Sequence, residues 1–419
     1  MKIIHITASY KPAYIYGGPI MSVAKLCEAI AEQVANKEQG IKNKEGKETK
    51  TNEIQVFTTT ANGKKELNVP RREPQMVDGV RVTYFKRITK DHTHFSASLL
   101  LHLRKVLRQA QHDNTKIIVH IHAWWNLVSI FSCFIAKWFK APVVLSPRGM
   151  LTHYTQQNRH SLAKKIIHQT IGKNLLSYCH IHVTSELERV DIQSIIIPKS
   201  ITVIPNLVEL SQGGHPPSSD VRASFYRNAE TTDEKRKTNE EKQVFKLIFL
   251  SRIEQKKGLD FLFEGLNALE FNWQLTIAGS GEEDYVESLK AKVKNLKLNS
   301  KIIWVGQIKN EDKFSLLAHH DLMILTSYNE NFANVVIESL SVGTPVLISN
   351  KVGLADYVEQ KDFGWIAPLN IDEIKNEILK AHQDVKKRNF IRENAPKTIV
   401  IDFSDDLVNR YIKLYQTLI

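Results

Sequence analysis

Strand and helix signals alternate along nearly the whole chain, in two runs separated by a stretch where apolar periodicity lapses. The first run predicts strands over residues 2–8, 53–59, 80–86, 116–122, 141–147, 180–185 and 201–205. Helices are expected between them near 20–34, 96–111, 125–139, 162–176 and 186–195. The second predicts strands over 245–252, 273–278, 301–306, 322–326, 345–349 and 364–367, and helices near 259–269, 283–296, 311–319, 335–342 and 371–387. Two such runs imply an α/β protein of two doubly wound Rossmann-like domains facing each other across a cleft. A chain of 419 residues is too long for one ordinary core, which agrees. The predicted boundaries are 1–206 for the first domain, 207–243 for a linker with an insertion (GGHPPSSD, then DEKRKTNEEK), and 244–403 for the second. Residues 36–52, rich in Lys, Glu and Gly, are expected to form a surface loop. A terminal helix over 404–419 carries Leu407, Tyr411, Leu414, Tyr415 and Leu418 at helical spacing.

Composition narrows the class. Three scattered cysteines in no CxxC pattern point to a reducing cytoplasm, without a disulfide framework or a cysteine metal site. No run approaches the ~18 apolar residues of a membrane span, and MKIIHITASY turns polar too soon for a signal-peptide core. The net charge is +12, and from Asn114 to Ser185 there is no Asp or Glu against eight Lys or Arg. That asymmetry suggests an anionic partner, either an acidic substrate or peripheral contact with an anionic membrane on its cytoplasmic face. Nucleic acid is disfavoured, because no recognition motif accompanies the charge.

The richest segment is YNENFANVVIESLSVGTPVLIS, from Tyr328 to Ser349. It reads as a loop and helix following one strand and leading into another, so the loop lies at the carboxyl end of a strand, where open α/β sheets bind ligands. Glu330 falls in the loop and Glu338 in the helix, whose free N–H groups and dipole suit a phosphate or a polarised hydroxyl. Carboxylates there are good acceptors for vicinal hydroxyls, so the chemistry suggested is recognition of a sugar nucleotide. The second domain opens FKLIFLSRIEQKKGLDFLFEGL, with Arg252 at a strand end and Lys257-Gly258 before the next helix. Two cations so placed could hold a pyrophosphate and stabilise the charge that grows on a departing nucleoside diphosphate. Gly17-Gly18 after the first strand permits close backbone approach to a phosphate or sugar, or forms a flexible turn. In HIHAWWN, His120 and His122 share a strand face. A structural pair is favoured over a metal site, and His122 is the better placed to reach the cleft. Arg148 in SPRGM sits at another strand end, where it could meet a phosphate or an acceptor. Thr184-Ser185-Glu186 reads as a helix cap. There is no DxD, the commonest short signature for a metal bridging a sugar nucleotide.

Taken together, these residues resemble the family 4 retaining glycosyltransferases, which have the GT-B fold. The resemblance rests on E-x7-E (Glu330, Glu338), R-x4-KG (Arg252, Lys257, Gly258), GTPV (Gly343 to Val346), the amino-terminal GG and Pro205-Asn206. HIHAWWN with SPRGML looks like the subgroup that builds bacterial surface polysaccharides. The resemblance implies that Glu338 binds the ribose hydroxyls and Glu330 a hydroxyl of the donor sugar. The amides of Asn331, Phe332, Ala333, Asn334 and Val335 would hold sugar and phosphate. It also implies that Arg252 and Lys257 neutralise the diphosphate, Gly17-Gly18 closes over it, and His122 approaches the donor. No cofactor or obligatory metal is implied, and the terminal helix is expected to return to the first domain. The chain departs from the family's usual Gly at Ser251, Asn331, Ala333 and Leu207, and a side chain at Ala333 could narrow the sugar pocket. The function expected is transfer of a sugar from a nucleotide-sugar donor to a lipid-linked or oligosaccharide acceptor. The alternatives are a nucleotide-sugar epimerase on the same fold and a binding protein without catalysis.

Overall fold

Apolar strand segments and the loops that follow them fix the architecture. The computed structural model describes residues 1–45, 53–89, 93–152, 155, 165–211, 244–404 and 406–419. The insertion expected over 207–243 falls outside these from residue 212 to 243, as does the first part of the helix expected over 162–176. The chain divides into two units, Met1–Leu207 with Asp405–Ile419, and Val208–Ser404.

In the first unit, β1 (Lys2–Thr7), β2 (Glu53–Thr59), β5 (Pro74–Val77), β6 (Val80–Phe85), β7 (Ile117–His122), β8 (Val143–Ser146), β9 (His180–Val183) and β10 (Ser200–Val203) form one sheet. A small hairpin, β3 (Ala61–Asn62) and β4 (Lys65–Glu66), stands apart. The sheet order is β10-β9-β8-β7-β1-β2-β6-β5, and all neighbours are parallel except β5 with β6. Apart from the antiparallel edge strand β5, chain order runs outward in both directions from the β1/β7 junction, which is therefore the switch point where ligand crevices form. The helices are α1 (Gly18–Glu45), α2 (Ala97–His112), α3 (Leu127–Trp138), α4 (Lys173–Leu176) and α5 (Glu186–Ile195). The surface loop expected over residues 36–52 is corrected in its first part: α1 continues to Glu45, since Lys and Glu are good helix formers, and residues 46–52 lie outside the described residues.

In the second unit, β11 (Phe245–Leu250), β12 (Trp273–Ala278), β13 (Ile302–Gly306), β14 (Leu322–Leu325), β15 (Val346–Ser349) and β16 (Gly364–Ala367) form an all-parallel sheet of order β13-β12-β11-β14-β15-β16. Its switch point is β11/β14. The helices are α6 (Leu259–Asn267), α7 (Glu283–Asn295), α8 (Asn310–Ala318), α9 (Asn334–Ser341), α10 (Ala355–Gln360), α11 (Ile371–Gln383) and α12 (Val385–Asp402). The single helix expected over 371–387 is two. Asp384 ends α11 and caps α12, its carboxylate accepting from the Lys387 N–H at 2.9 Å. The terminal helix α13 (Asp406–Gln416) buries Leu407, Tyr411, Leu414 and Tyr415 within the first unit.

Candidate functional site

The switch point of the second unit gathers the motif residues. Arg252 and Lys257 lie in the connection from β11 to α6, and Glu330 lies in the connection from β14 to α9. Backbone stitches these loops together: the Tyr328 N–H donates to the Lys256 carbonyl at 2.8 Å, and the Thr326 hydroxyl to the Gly258 carbonyl at 2.9 Å. Gly258 makes the approach possible. Its φ is +67°, and a Cβ there would lie 2.1 Å from the Thr326 carbonyl oxygen.

Lys257 Nζ donates to Glu330 Oε2 at 2.5 Å, with side-chain exposures of 7% and 20%. Burial pushes the Glu330 carboxyl up, but Lys257, Lys256 and Arg252 outweigh it and hold the group below its ordinary range. Burial lowers Lys257, and Lys256 and Arg252 add to that against the pull of Glu330. The pair is thus ionised inside a cluster of three cations. Arg252 is half-exposed and engages Glu254 at 2.5 Å, leaving much of its fork toward solvent. Glu330 is further fixed by its backbone, which accepts from the Gly353 N–H at 2.7 Å and donates to the Lys351 carbonyl at 3.0 Å.

Glu338, on α9, pairs with a cation that the motifs did not reveal: Lys313 of α8 donates to Oε1 at 2.9 Å. Burial raises the Glu338 carboxyl, Lys313 opposes that, and Glu209 adds to it. Between the two acids, Asn331 keeps a buried side-chain N–H without a partner. Phe332 turns its ring inward against Phe403, at 6.1 Å between centroids, so only its backbone faces the loop. Ala333 caps α9 in the left-handed region at φ +65°, which accounts for a family glycine at this position. Asn334 and Val335 open the helix.

In the first unit, Gly17 and Gly18 follow β1 and start α1, with Gly17 at φ +65° and open space around Gly18. His122 ends β7 next to them in sheet order, but it is buried, a correction to the expectation that it reaches a cleft. Its ring lies in a hydrogen-bonded layer that begins on strand β1. Arg148 Nε donates to His122 Nδ1 at 3.4 Å, so His122 Nε2–H donates to His5 Nδ1 at 2.9 Å. Alongside runs a second chain whose direction is set by an acceptor. The Ile204 carbonyl accepts from His182 Nε2, Ser146 Oγ donates to His182 Nδ1, His120 Nε2 donates to Ser146 Oγ, and Tyr415 Oη donates to His120 Nδ1. The distances are 2.9, 2.6, 2.7 and 2.7 Å. Tyr411 Oη also meets His182, at 3.0 Å. Burial, reinforced by Arg148, lowers all four histidines, His5 and His182 to about 3. They are neutral, as the two chains require.

Ring nitrogens of His5, His120 and His122 lie within 4.8 Å of one another, a spacing that could hold a metal. Both nitrogens of His120 and His122 are already engaged, however, and within the trio only His5 Nε2 lacks a partner. The cationic Arg148 beside them also disfavours a metal ion. Arg148 Nη1 reaches Asn206 Oδ1 at 3.2 Å, tying SPRGM to the Pro205-Asn206 segment. Ser185 caps α5 by accepting from the Glu188 N–H, as expected. The buried Glu188 carboxylate accepts in turn from the Gly149 and Thr184 N–H groups, each at 2.9 Å. Sequence reasoning missed His5, Glu188 and Lys313. Only Glu188 left a signal, three residues after its Ser cap.

Two doubly wound units, with cations and carboxylates gathered at the switch point of the second, define the GT-B class of α/β enzyme. Comparison with known proteins agrees. Residues 49–212 match the model of "Glycosyltransferase Family 4" and residues 230–398 that of "Glycosyl transferases group 1". An uncharacterized glycosyltransferase of Methanocaldococcus jannaschii is 23% identical, covering 99% of this chain and 98% of its own. N-acetyl-alpha-D-glucosaminyl L-malate synthase of Bacillus anthracis is 21% identical, over 74% and 77%. Among solved structures, sucrose-phosphate synthase from Thermosynechococcus elongatus aligns with TM-score 0.71 at 17% identity, covering 100% and 99% of the two chains. Anabaena HepE in complex with UDP-glucose aligns at 0.68 and 18%, covering 100% of both. WaaG, a glycosyltransferase involved in lipopolysaccharide biosynthesis, aligns at 0.65 and 14%, covering 98% and 99%. The chain is a glycosyltransferase of the family 4, GT-B type. The epimerase alternative finds no support in these matches.

Proposed function

We propose that this enzyme moves a sugar from a nucleotide-sugar donor to a lipid-linked or oligosaccharide acceptor, with retention, in bacterial surface polysaccharide synthesis. The observation that carries the reading is the Lys257–Glu330 pair beside Arg252 at the β11/β14 switch point. In this reading the donor's diphosphate lies on Arg252 and Lys257, which stabilise the charge released as the sugar–oxygen bond breaks. Glu330 uses one of the three N–H groups of Lys257, so the ammonium can serve the carboxylate and a phosphate together. Glu330 accepts from a hydroxyl of the donor sugar, and Glu338 from the ribose hydroxyls. The amides of Asn331 to Val335 complete the cradle. Gly17, Gly18 and Arg148 of the first unit are assigned to phosphate or acceptor contact, and the buried His122 is not. Charge neutralisation by these groups calls for no obligatory metal. The complex of HepE with UDP-glucose and the involvement of WaaG in lipopolysaccharide biosynthesis support the donor and acceptor classes.

The test is a thermal-shift screen against UDP, GDP, ADP and their sugars, repeated on Glu338→Gln. A bound donor at 100 times its dissociation constant stabilises by roughly 2.7 kcal/mol. The variant should need roughly tenfold more donor or higher for the same shift, from loss of a charged hydrogen bond. No shift with any donor at millimolar concentration would sink the proposal. A product with inverted anomeric configuration by proton NMR would sink its stereochemical part.

A further inference from the structure

Helix α3 is built inside out. Its buried face carries Ser129, Ser132, Cys133 and Ala136, together with Val128 and Ile130. Its outer face carries Phe131, Phe134 and Trp138, exposed by 39%, 49% and 75%. At about 100° per residue these three fall within an arc of about 60°. Soluble helices place such residues on the core side, but among the described residues the stripe's ring contacts are those of Phe131 with Phe95 and of Phe134 with Trp138. Ile171, just before α4, is exposed as well, and α3 packs against α4.

The charge along these helices has one sign. Lys140 follows α3 and Lys173 opens α4, both exposed, while Lys137 lies against Asn174. Helix α2, packed beside α3, contributes exposed Arg104, Lys105 and Arg108 and has no acid. No Asp or Glu occurs between Asp113 and Glu186 in the whole chain. Exposed aromatics on a helix whose packed neighbours carry lysine and arginine and no acid match an anionic lipid surface: rings enter the interface and ammonium groups meet the headgroups. A protein partner with an acidic rim would present the same sign, but the uninterrupted absence of acids needs no matching shape and favours a bilayer.

We propose that the α3 face, centred on Phe134 and Trp138, docks the enzyme onto an anionic membrane. The proposal extends the reading above to the surface where a lipid-linked acceptor is met. It stands on separate residues, so vesicle binding and donor binding fail independently.

The experiment is sedimentation of the full chain with vesicles of phosphatidylcholine, with and without phosphatidylglycerol. Binding to the anionic vesicles alone is expected, weakening as salt rises. Phe134→Ser with Trp138→Ser should weaken it by roughly tenfold or more, with circular dichroism and melting unchanged because both positions face outward. Lys140→Gln and Lys173→Gln should each weaken it by roughly fivefold. Trp138 is the only exposed one of six tryptophans, so quenching of wild-type fluorescence by brominated acyl chains reports its insertion without a variant. Absence of sedimentation with anionic vesicles would overturn the proposal, as would aromatic variants that bind like the wild type. A dimer in sedimentation velocity that the same substitutions dissolve, without vesicle binding, would replace the membrane with a second copy of the chain.

Discussion

Replacing Lys257 with methionine tests the centre of the site, because it removes the ammonium and keeps the length of the side chain. Glu330 is then left largely buried, with Lys256 and Arg252 as more distant compensation. Removing one partner of a buried ion pair costs roughly 3–5 kcal/mol. Glu330 keeps 20% side-chain exposure, which places the expectation at the lower end, about 3 kcal/mol. For a unit of this size that lowers the melting temperature by roughly 6–12 °C. Adding Glu330→Gln to Lys257→Met removes the stranded charge and should return a large part of that stability, a coupling of roughly 1–3 kcal/mol. Transfer activity should behave differently. Loss of a fixed cation at the leaving diphosphate lowers turnover by roughly 100-fold or more, and the second substitution restores none of it. Denaturant unfolding and steady-state transfer on the two single variants and the double variant give both quantities. A double variant no more stable than Lys257→Met would show that the pair is not coupled. A Lys257→Met enzyme turning over within a few-fold of wild type would refute the electrostatic role.

Two further outcomes concern stability. His5 and His182 are held near 3 in the folded first unit, well below the ordinary 6.5. Their contribution is therefore complete above pH 6.5 and lost as pH falls toward 3, at about 3 kcal/mol per pH unit for the two together, with His120 and His122 acting in the same direction. Urea unfolding of the first unit between pH 6.5 and 5, above the carboxylate range, checks this, and a flat profile there would contradict the neutral histidine layer. Gly258→Ala should lower the urea midpoint of the second unit by the equivalent of roughly 3 kcal/mol, from left-handed strain and the clash with Thr326. Gly18→Ala, which meets nothing within 4 Å, should leave its own unit nearly unchanged, and equal losses at the two sites would dismiss the packing argument.

The parts of this fold legible in the sequence are those encoded locally. Runs such as FKLIFL and LMIL are apolar because strands covered on both faces must be, and they appear where expected. Glu330 could be placed in a loop and Glu338 in a helix because Thr326-Ser327 ends an apolar strand and an apolar helix pattern follows Ala333. Helix α12 was invisible for the opposite reason. Its buried positions Arg388, Ile391, Ala395 and Ile399 do follow helical spacing, but an arginine begins the series and Pro396 interrupts it. A local pattern also could not distinguish a helix from a loop along the charged end of α1.

Pairings across the sheet were out of reach, and they decide the chemistry. Nothing near Lys313 marks it as the partner of Glu338, since the two are brought together only when α8 packs beside α9. His5 reads as one polar residue in an apolar strand, and its meaning comes from His120 and His122 arriving on the neighbouring strand β7. The same limit explains α3. Composition showed that the region lacked acids, but only its orientation on the sheet shows that the aromatics face outward while the serines and the cysteine face in. Spacing places Phe131, Phe134 and Trp138 on one side of a helix, and by itself it makes that side the core. Here small residues share the core side with Val128 and Ile130, and among the described residues the aromatics meet no ring but Phe95 and one another. That inversion is why the vesicle experiment, rather than any closer reading of the sequence, decides what this helix is for.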